Sequence, residues 1–332
     1  MTELAIVGAG SWGTALAVVL APRFGRIRLW VYEKDLAERM RATRINDVYL
    51  PGFRLPANVA TETEFADALP GAEIVLSVMP SHLVRPLYRQ MSECLAPSMV
   101  FVSATKGLEN GTLLRASEVI REIVAQRFEP RVAVISGPTF AREVARGDPT
   151  LLVVASTDPA LAASVQSSFS GPTFRLYSSA DPAGVEIGGA VKNVVAIGAG
   201  VCHGLGLGSN TQAALITRGL AEMTRLAIAL GGRPQTLAGL AGLGDLVLTC
   251  TGELSRNRTV GLELARGRKL EEIVSSMKMV AEGIKTTSAT VDLARRHQVE
   301  MPISKQMFDM LNFGLPPQEA IRRLMERSLK GE

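Results

Sequence analysis

The chain has 332 residues, 47% of them hydrophobic, a formal net charge of +4 and a pI near 9.1. That length exceeds the roughly 250 to 300 residues at which a single hydrophobic core stops growing, so two domains are expected. Its Lys and Arg are scattered and aromatics make up only 5%, which suits small phosphorylated partners better than nucleic acid.

Apolar stretches such as Val194–Val201 and Leu151–Ala155 fall short of the ~20 residues of a bilayer span, so no membrane span is expected. The start, Met1-Thr2-Glu3, runs into a strand-like segment without a basic, apolar leader, which points to a soluble, cytoplasmic protein. Cys94, Cys202 and Cys250 are far apart, odd in number and without ligand spacing. Free thiols are expected, and no metal.

In chain order, strand-like runs occur at Leu4–Val7, Ile27–Val31, Ile74–Val78, Val100–Ser103, Val132–Ile135 and Leu151–Ala155, each followed by a polar or Gly-rich turn. Several are almost continuously apolar, as strands covered on both faces are. Immediately after the first comes Gly8-Ala9-Gly10-Ser11-Trp12-Gly13, then helix-prone Thr14–Leu20. In that spacing Gly8 permits the tight turn, Gly10 lets the backbone approach a pyrophosphate, and Gly13 lets helix pack on strand. The helix N-terminus then faces the phosphates of a dinucleotide, NAD(H) or NADP(H). The first half therefore reads as an α/β, Rossmann-type, doubly wound parallel sheet.

The second run ends at Trp30-Val31-Tyr32-Glu33, where an acidic side chain accepts from the adenosine ribose and repels a 2′-phosphate. Lys34 and Arg39 lie close enough in sequence to offer a 2′-phosphate a cationic partner instead, so coenzyme preference stays open.

Ala104-Thr105-Lys106-Gly107-Leu108 and Ser136-Gly137-Pro138-Thr139-Phe140-Ala141 each follow a strand, which sets Lys106, Gly137 and Thr139 at the carboxyl edge where open α/β folds bind ligands. A solvated loop lysine and a plain β-turn are the plain alternatives.

From about Ala180 to Pro182 the strand-like runs give way to helical segments at Val185–Ala199, Gln212–Leu230, Thr259–Ala265, Ile284–His297 and Pro317–Leu329. The division expected is residues 1–180 for the nucleotide and an all-helical 181–332 for substrate and catalysis. Within the first of these helices Lys192 and Asn193 follow Gly188 and Gly189. The two glycines, each costing about 1 kcal/mol in a helix relative to Ala, suggest a surface cleared for a ligand. A desolvated lysine has a lowered pKa and can give a proton to an alkoxide or take one back; a lysine snorkelling to solvent is the alternative. Finally Gly239 to Thr249, containing Asp245, leads into Ser255-Arg256-Asn257-Arg258, where Ser255 suits an N-cap and Arg256 a phosphate site at a helix start.

These segments occur in the order found in bacterial NAD(P)-dependent glycerol-3-phosphate dehydrogenase, which the chain resembles from Ile6 to about Pro302. The resemblance implies that Lys192 is the catalytic proton acceptor and donor and that Lys106 touches both substrate and cofactor. It implies that Gly137, Thr139, Asp245, Ser255, Arg256 and Asn257 line the substrate pocket, with Arg256 also reaching the dinucleotide. Ser11, Trp12, Ala141, Val280 and Glu282 match cofactor contacts, as does the position of Tyr32, where a basic residue or His is often found; a tyrosine there weakens the case for NADP. The implied reaction reduces dihydroxyacetone phosphate to sn-glycerol 3-phosphate for phospholipid synthesis. The nearest alternative is a β-hydroxyacid dehydrogenase of related fold, which would bind a carboxylate rather than use a phosphate site at Arg256-Asn257. A non-catalytic dinucleotide-sensing regulator would have no use for Lys192. A homodimer is carried as an expectation that no motif tests.

Overall fold

The computed structural model describes every residue except Met1, Lys278, Val280, Lys330 and Glu332. Eight strands, β1 (Glu3–Val7), β2 (Arg26–Trp30), β3 (Val59–Glu62), β4 (Ile74–Ser77), β5 (Val100–Ser103), β6 (Arg131–Ser136), β7 (Thr150–Ala155) and β8 (Phe174–Ser179), form one sheet in the order β3-β2-β1-β4-β5-β6-β7-β8. Alternate side chains go to opposite faces: Leu4 and Ile6 of β1 join one apolar core, Ala5 and Val7 the other. Both faces are thus covered, which is why the sequence shows these strands as apolar runs.

The sheet departs from the expected all-parallel form at one pair, since β7 runs antiparallel to β6 and β8 then pairs parallel with β7. The strand order reverses beside β1, whose neighbours are β2 and β4. Ligands of open α/β sheets bind at such a switch point, outside the carboxyl ends of the strands.

After β8 no strand occurs among the described residues, and a 23-residue helix begins at Pro182 and ends at Gly204. Asp181 starts it, its side chain accepting from the Gly184 N–H at 2.8 Å, with Pro182 in the first turn where a missing N–H costs nothing. Contrary to the sequence expectation, this helix reaches bilayer-span length and apolarity, with a mean hydropathy of 1.4, but its apolar window is entirely buried within the protein. It is the axis of the helical half. The helices Ser209–Ala229, Asp245–Thr251, Arg256–Ala265 and Glu282–Arg296 pack around it. Its crossing with Arg256–Ala265 is backbone against backbone: a Cβ on Gly200 would collide with the Arg258 carbonyl, and one on Gly261 with the Ile197 carbonyl.

One buried ion pair ties this helix to the sheet's helices. Glu186 accepts from Arg115 Nη1 at 3.0 Å and from the Ser117 N–H at 2.9 Å. Removing one partner of a buried pair strands the other charge, so Arg115→Ala is expected to lower unfolding stability by about 3 kcal/mol in urea titrations. An unchanged midpoint would show that Ser117 alone satisfies Glu186.

Candidate active site

The glycine turn has the form its spacing requires. Gly8 takes φ +117°, and a Cβ there would strike the Val78 carbonyl. A Cβ on Gly13 would strike the Gly8 carbonyl, so helix Ser11–Leu20 sits directly on the turn. Gly10 differs: apart from its chain neighbours, none of the described residues lies within 4 Å of where its Cβ would stand. That open space at a helix N-terminus lets a dinucleotide pyrophosphate approach the backbone, so these residues fit the group. Ser11 opens the helix and Trp12 packs partly on the sheet core, its indole Nε1 buried without a hydrogen-bond partner among the described residues. Ala141 opens a second helix, Ala141–Arg146, and packs against the same core. Asn46, which no local pattern reveals, braces the turn by donating to the Ala9 carbonyl at 2.8 Å and to Thr14 Oγ1 at 2.9 Å.

At the end of β2, Tyr32 is 74% exposed and Glu33 accepts a 2.6 Å hydrogen bond from the Tyr49 hydroxyl. That bond to a carboxylate pushes the Tyr49 phenol up to about 12.

Around Lys192 the structure gathers residues from across the chain. Lys192, 6% exposed, has its Nζ on Asp245 Oδ1 and donates to Thr249 Oγ1 at 2.8 Å. The other oxygen of Asp245 accepts from Lys106 Nζ at 2.8 Å. Lys106 also donates to the Gly137 carbonyl at 2.8 Å and to Thr139 Oγ1 at 3.1 Å. One fully buried carboxylate therefore holds two lysines from opposite halves of the chain. Desolvation brings the Lys192 ammonium down from 10.5 to about 7; Lys106 pushes the same way, and Asp245 resists. A group so poised gives or takes a proton near neutrality.

Asp245 stands where it does because Leu240–Gly244 forms a π-helical turn just before helix Asp245–Thr251. Thr249, one turn further on, was missed as a site residue; the i, i+4 spacing from an acid near a candidate lysine was the signal available. Gly188 and Gly189 have a different purpose from the one expected. A Cβ on Gly188 would stand 2.5 Å from the Ala241 carbonyl oxygen, and one on Gly189 2.6 Å from Ser136 Oγ. They admit neighbouring protein, the π-turn and the end of β6, and so bring Asp245 and Lys106 to Lys192.

The remaining substrate-side residues connect to this group. Asn193 Nδ2 donates to the Lys106 carbonyl at 3.3 Å, and its Oδ1 accepts from Asn257 Nδ2 at 2.9 Å. Asn257 Oδ1 in turn accepts from the Gly283 N–H at 2.9 Å. Ser255 caps helix Arg256–Ala265 by accepting from the Arg258 N–H at 3.2 Å, as its position suggested. Arg256 is exposed at the first turn, close enough to Glu282 for their charges to interact. Glu282, opening helix Glu282–Arg296, accepts from Ser81 Oγ at 2.8 Å, and burial raises its carboxyl. A Cβ on Gly107 would press on both Ser81 and Glu282, so this contact abuts the Lys106 loop. Thr105 donates to the Met79 carbonyl at 2.9 Å, which carries the group on to the loop after β4 and the glycine turn. Tyr32 and Glu33 lie apart, at the end of β2. Val280 lies outside the described residues.

Residues 3–162 match the family described as NAD-dependent glycerol-3-phosphate dehydrogenase N-terminus, and residues 181–322 the corresponding C-terminus. The chain is 58% identical over 329 residues to a glycerol-3-phosphate dehydrogenase (NAD(P)+) from Koribacter versatilis, covering 98% of each. A protein of the same name from Syntrophotalea carbinolica is 52% identical over 330 residues, covering 99% of each. Among solved structures, glycerol-3-phosphate dehydrogenase from Coxiella burnetii superposes with a TM-score of 0.94 at 41% identity, covering 98% of this chain and 99% of that one. A ketopantoate reductase from Ralstonia eutropha, 17% identical with a TM-score of 0.60 over 96% of this chain and 100% of that one, shares the fold alone.

Proposed function

The chain belongs to the NAD-dependent glycerol-3-phosphate dehydrogenase family, and from that premise we propose how its residues interconvert dihydroxyacetone phosphate and sn-glycerol 3-phosphate. It is an NAD(P)-dependent oxidoreductase, and the product supplies the backbone of membrane glycerophospholipids. The observation that carries the mechanism is the buried Lys192, held between Asp245 and Thr249 with its pKa brought to about 7.

Held over the turn of Gly8, Gly10 and Gly13, a reduced nicotinamide dinucleotide would supply a hydride to the ketone carbon. Lys192, as ammonium, gives its proton to the oxygen of that carbon, so that an alcohol and a neutral amine result. In the reverse direction the neutral amine takes the hydroxyl proton. Lys106 lies across Asp245 from Lys192 and places a second positive charge beside the developing alkoxide. Thr139 and the Gly137 carbonyl fix its ammonium.

The phosphate belongs at the start of helix Arg256–Ala265, which offers the Arg256 side chain and the positive end of the helix dipole. Asn257 supports that end through Asn193 and Gly283. On the dinucleotide side, Gly8, Gly10 and Gly13 shape the pyrophosphate turn, with Ser11, Trp12 and Ala141 around it, and Glu282 closes the crevice against Ser81.

Purified protein should consume reduced coenzyme, followed by its ultraviolet absorbance, when dihydroxyacetone phosphate is added. Arg256→Ala should raise KM for that substrate roughly 10- to 100-fold, the worth of a charge-assisted hydrogen bond, and change kcat less. An unaltered KM would put the phosphate elsewhere.

A further inference from the structure

Coenzyme selection is decided at the end of β2, where the adenosine ribose of a dinucleotide meets the second strand of such a fold. Glu33 occupies that position, and its carboxylate is held: Oε1 accepts from the Tyr49 hydroxyl at 2.6 Å. Tyr49 is itself anchored, its N–H donating to Asn46 Oδ1 at 2.9 Å. Asn46, fully buried, donates to the Ala9 carbonyl inside the glycine turn. The acid at the ribose end is therefore braced, through two side chains, against the loop that receives the pyrophosphate.

The cations that would welcome a 2′-phosphate are engaged with carboxylates. Arg39 bridges Asp35 at 2.8 Å and Asp47 at 3.1 Å, and Lys34 pairs with Glu64 at 3.0 Å. Together with Glu33, four carboxylates stand against two cations. Tyr32 adds an exposed ring and no charge, leaning at 58° toward Trp30, which stacks on Phe65 at 4.5 Å between centroids. A dianionic 2′-phosphate would meet a fixed carboxylate and would compete with two others for Arg39, whereas a ribose hydroxyl can donate to Glu33.

We infer that the chain selects NAD(H) over NADP(H) through Glu33, with Tyr49 as the positioning residue that keeps the Glu33 carboxylate turned to the ribose. The inference rests on the dehydrogenase reading above and deepens it.

The test is equilibrium binding, NADH and NADPH titrated separately into the intact protein and followed by calorimetry. Wild-type Kd for NADPH should exceed that for NADH by at least about tenfold, the scale of an uncompensated like-charge contact. Glu33→Gln should bring the two values to within about threefold by removing the repulsion. Tyr49→Phe should narrow the gap by roughly fivefold, the net worth of one typical hydrogen bond, because Tyr49 acts on the coenzyme only through Glu33, and chiefly by weakening NADH. A Tyr49 that merely packs would leave the ratio untouched when replaced by Phe, and that result would overturn its role. Equal or tighter NADPH binding by the wild type would overturn the selection itself while leaving the dehydrogenase reading intact. Binding of neither coenzyme would overturn both. Should Tyr49→Phe not fold, the wild-type ratio and Glu33→Gln still decide the selection.

Discussion

Lys192→Met is expected to cut kcat by at least about 100-fold in both directions while leaving the fold in place, the lower end of what general acid–base catalysis supplies. Methionine fills the volume of the lysine stem, and Asp245 keeps its bond to Lys106, so no carboxylate is left buried alone. The pH dependence gives the stricter check. Burial lowers the Lys192 pKa to about 7, so below that pH the side chain is the ammonium that reduction needs, and above it the amine that oxidation needs. The kcat/KM for dihydroxyacetone phosphate reduction, which reports the free enzyme, should therefore fall as pH rises through about 7, and that for glycerol 3-phosphate oxidation should rise. Both inflections should vanish in Lys192→Met. A variant with near-normal turnover, or one that keeps the same inflections, would show that another group moves the proton.

Local chemistry made parts of this site legible in sequence. The Gly8-Ala9-Gly10-Ser11-Trp12-Gly13 turn is a short-range object whose strand, glycines and helix are contiguous, so spacing alone described it. The same holds for the Ser255 cap. The change from strands to helices at Pro182 was visible because the two halves bury residues with different periods. Strands β3 and β8 were not, since Val59–Glu62 and Phe174–Ser179 alternate buried and open positions rather than running apolar. Nor could any pattern show that β7 turns antiparallel.

What sequence could not supply is pairing at a distance. Lys106 and Asp245 meet across 139 positions, and Asn193 meets Asn257 across 64. Glu33 was legible as an acid at the end of a strand, but the Tyr49 that holds it was not. Gly188 and Gly189 show how a correct flag can carry the wrong cause. They did mark an unusual helix face, yet the atoms they admit are the Ala241 carbonyl and the Ser136 hydroxyl.

Asp245 is the position where those long-range pairings converge, and Asp245→Asn should be nearly as damaging as losing Lys192. The carboxylate is fully buried and holds one lysine on each oxygen. An amide keeps the shape but removes the charge, leaving two ammonium groups facing each other in low dielectric. Of the influences on Lys192, the attraction of Asp245 raises its pKa, while desolvation and Lys106 lower it. With the first removed, the pKa must fall further. The variant should lose about 100-fold in kcat for ketone reduction at neutral pH, and the falling limb of its pH profile should move to lower pH, so that acidification recovers part of the lost rate. Stability should drop by about 3 kcal/mol, read in urea on the same preparation. If Asp245 were only a structural brace, turnover would fall with unfolding and the inflection would stay at its wild-type pH. An inflection displaced to lower pH in a protein that remains folded is the result expected when the attraction of this carboxylate for the Lys192 ammonium is lost.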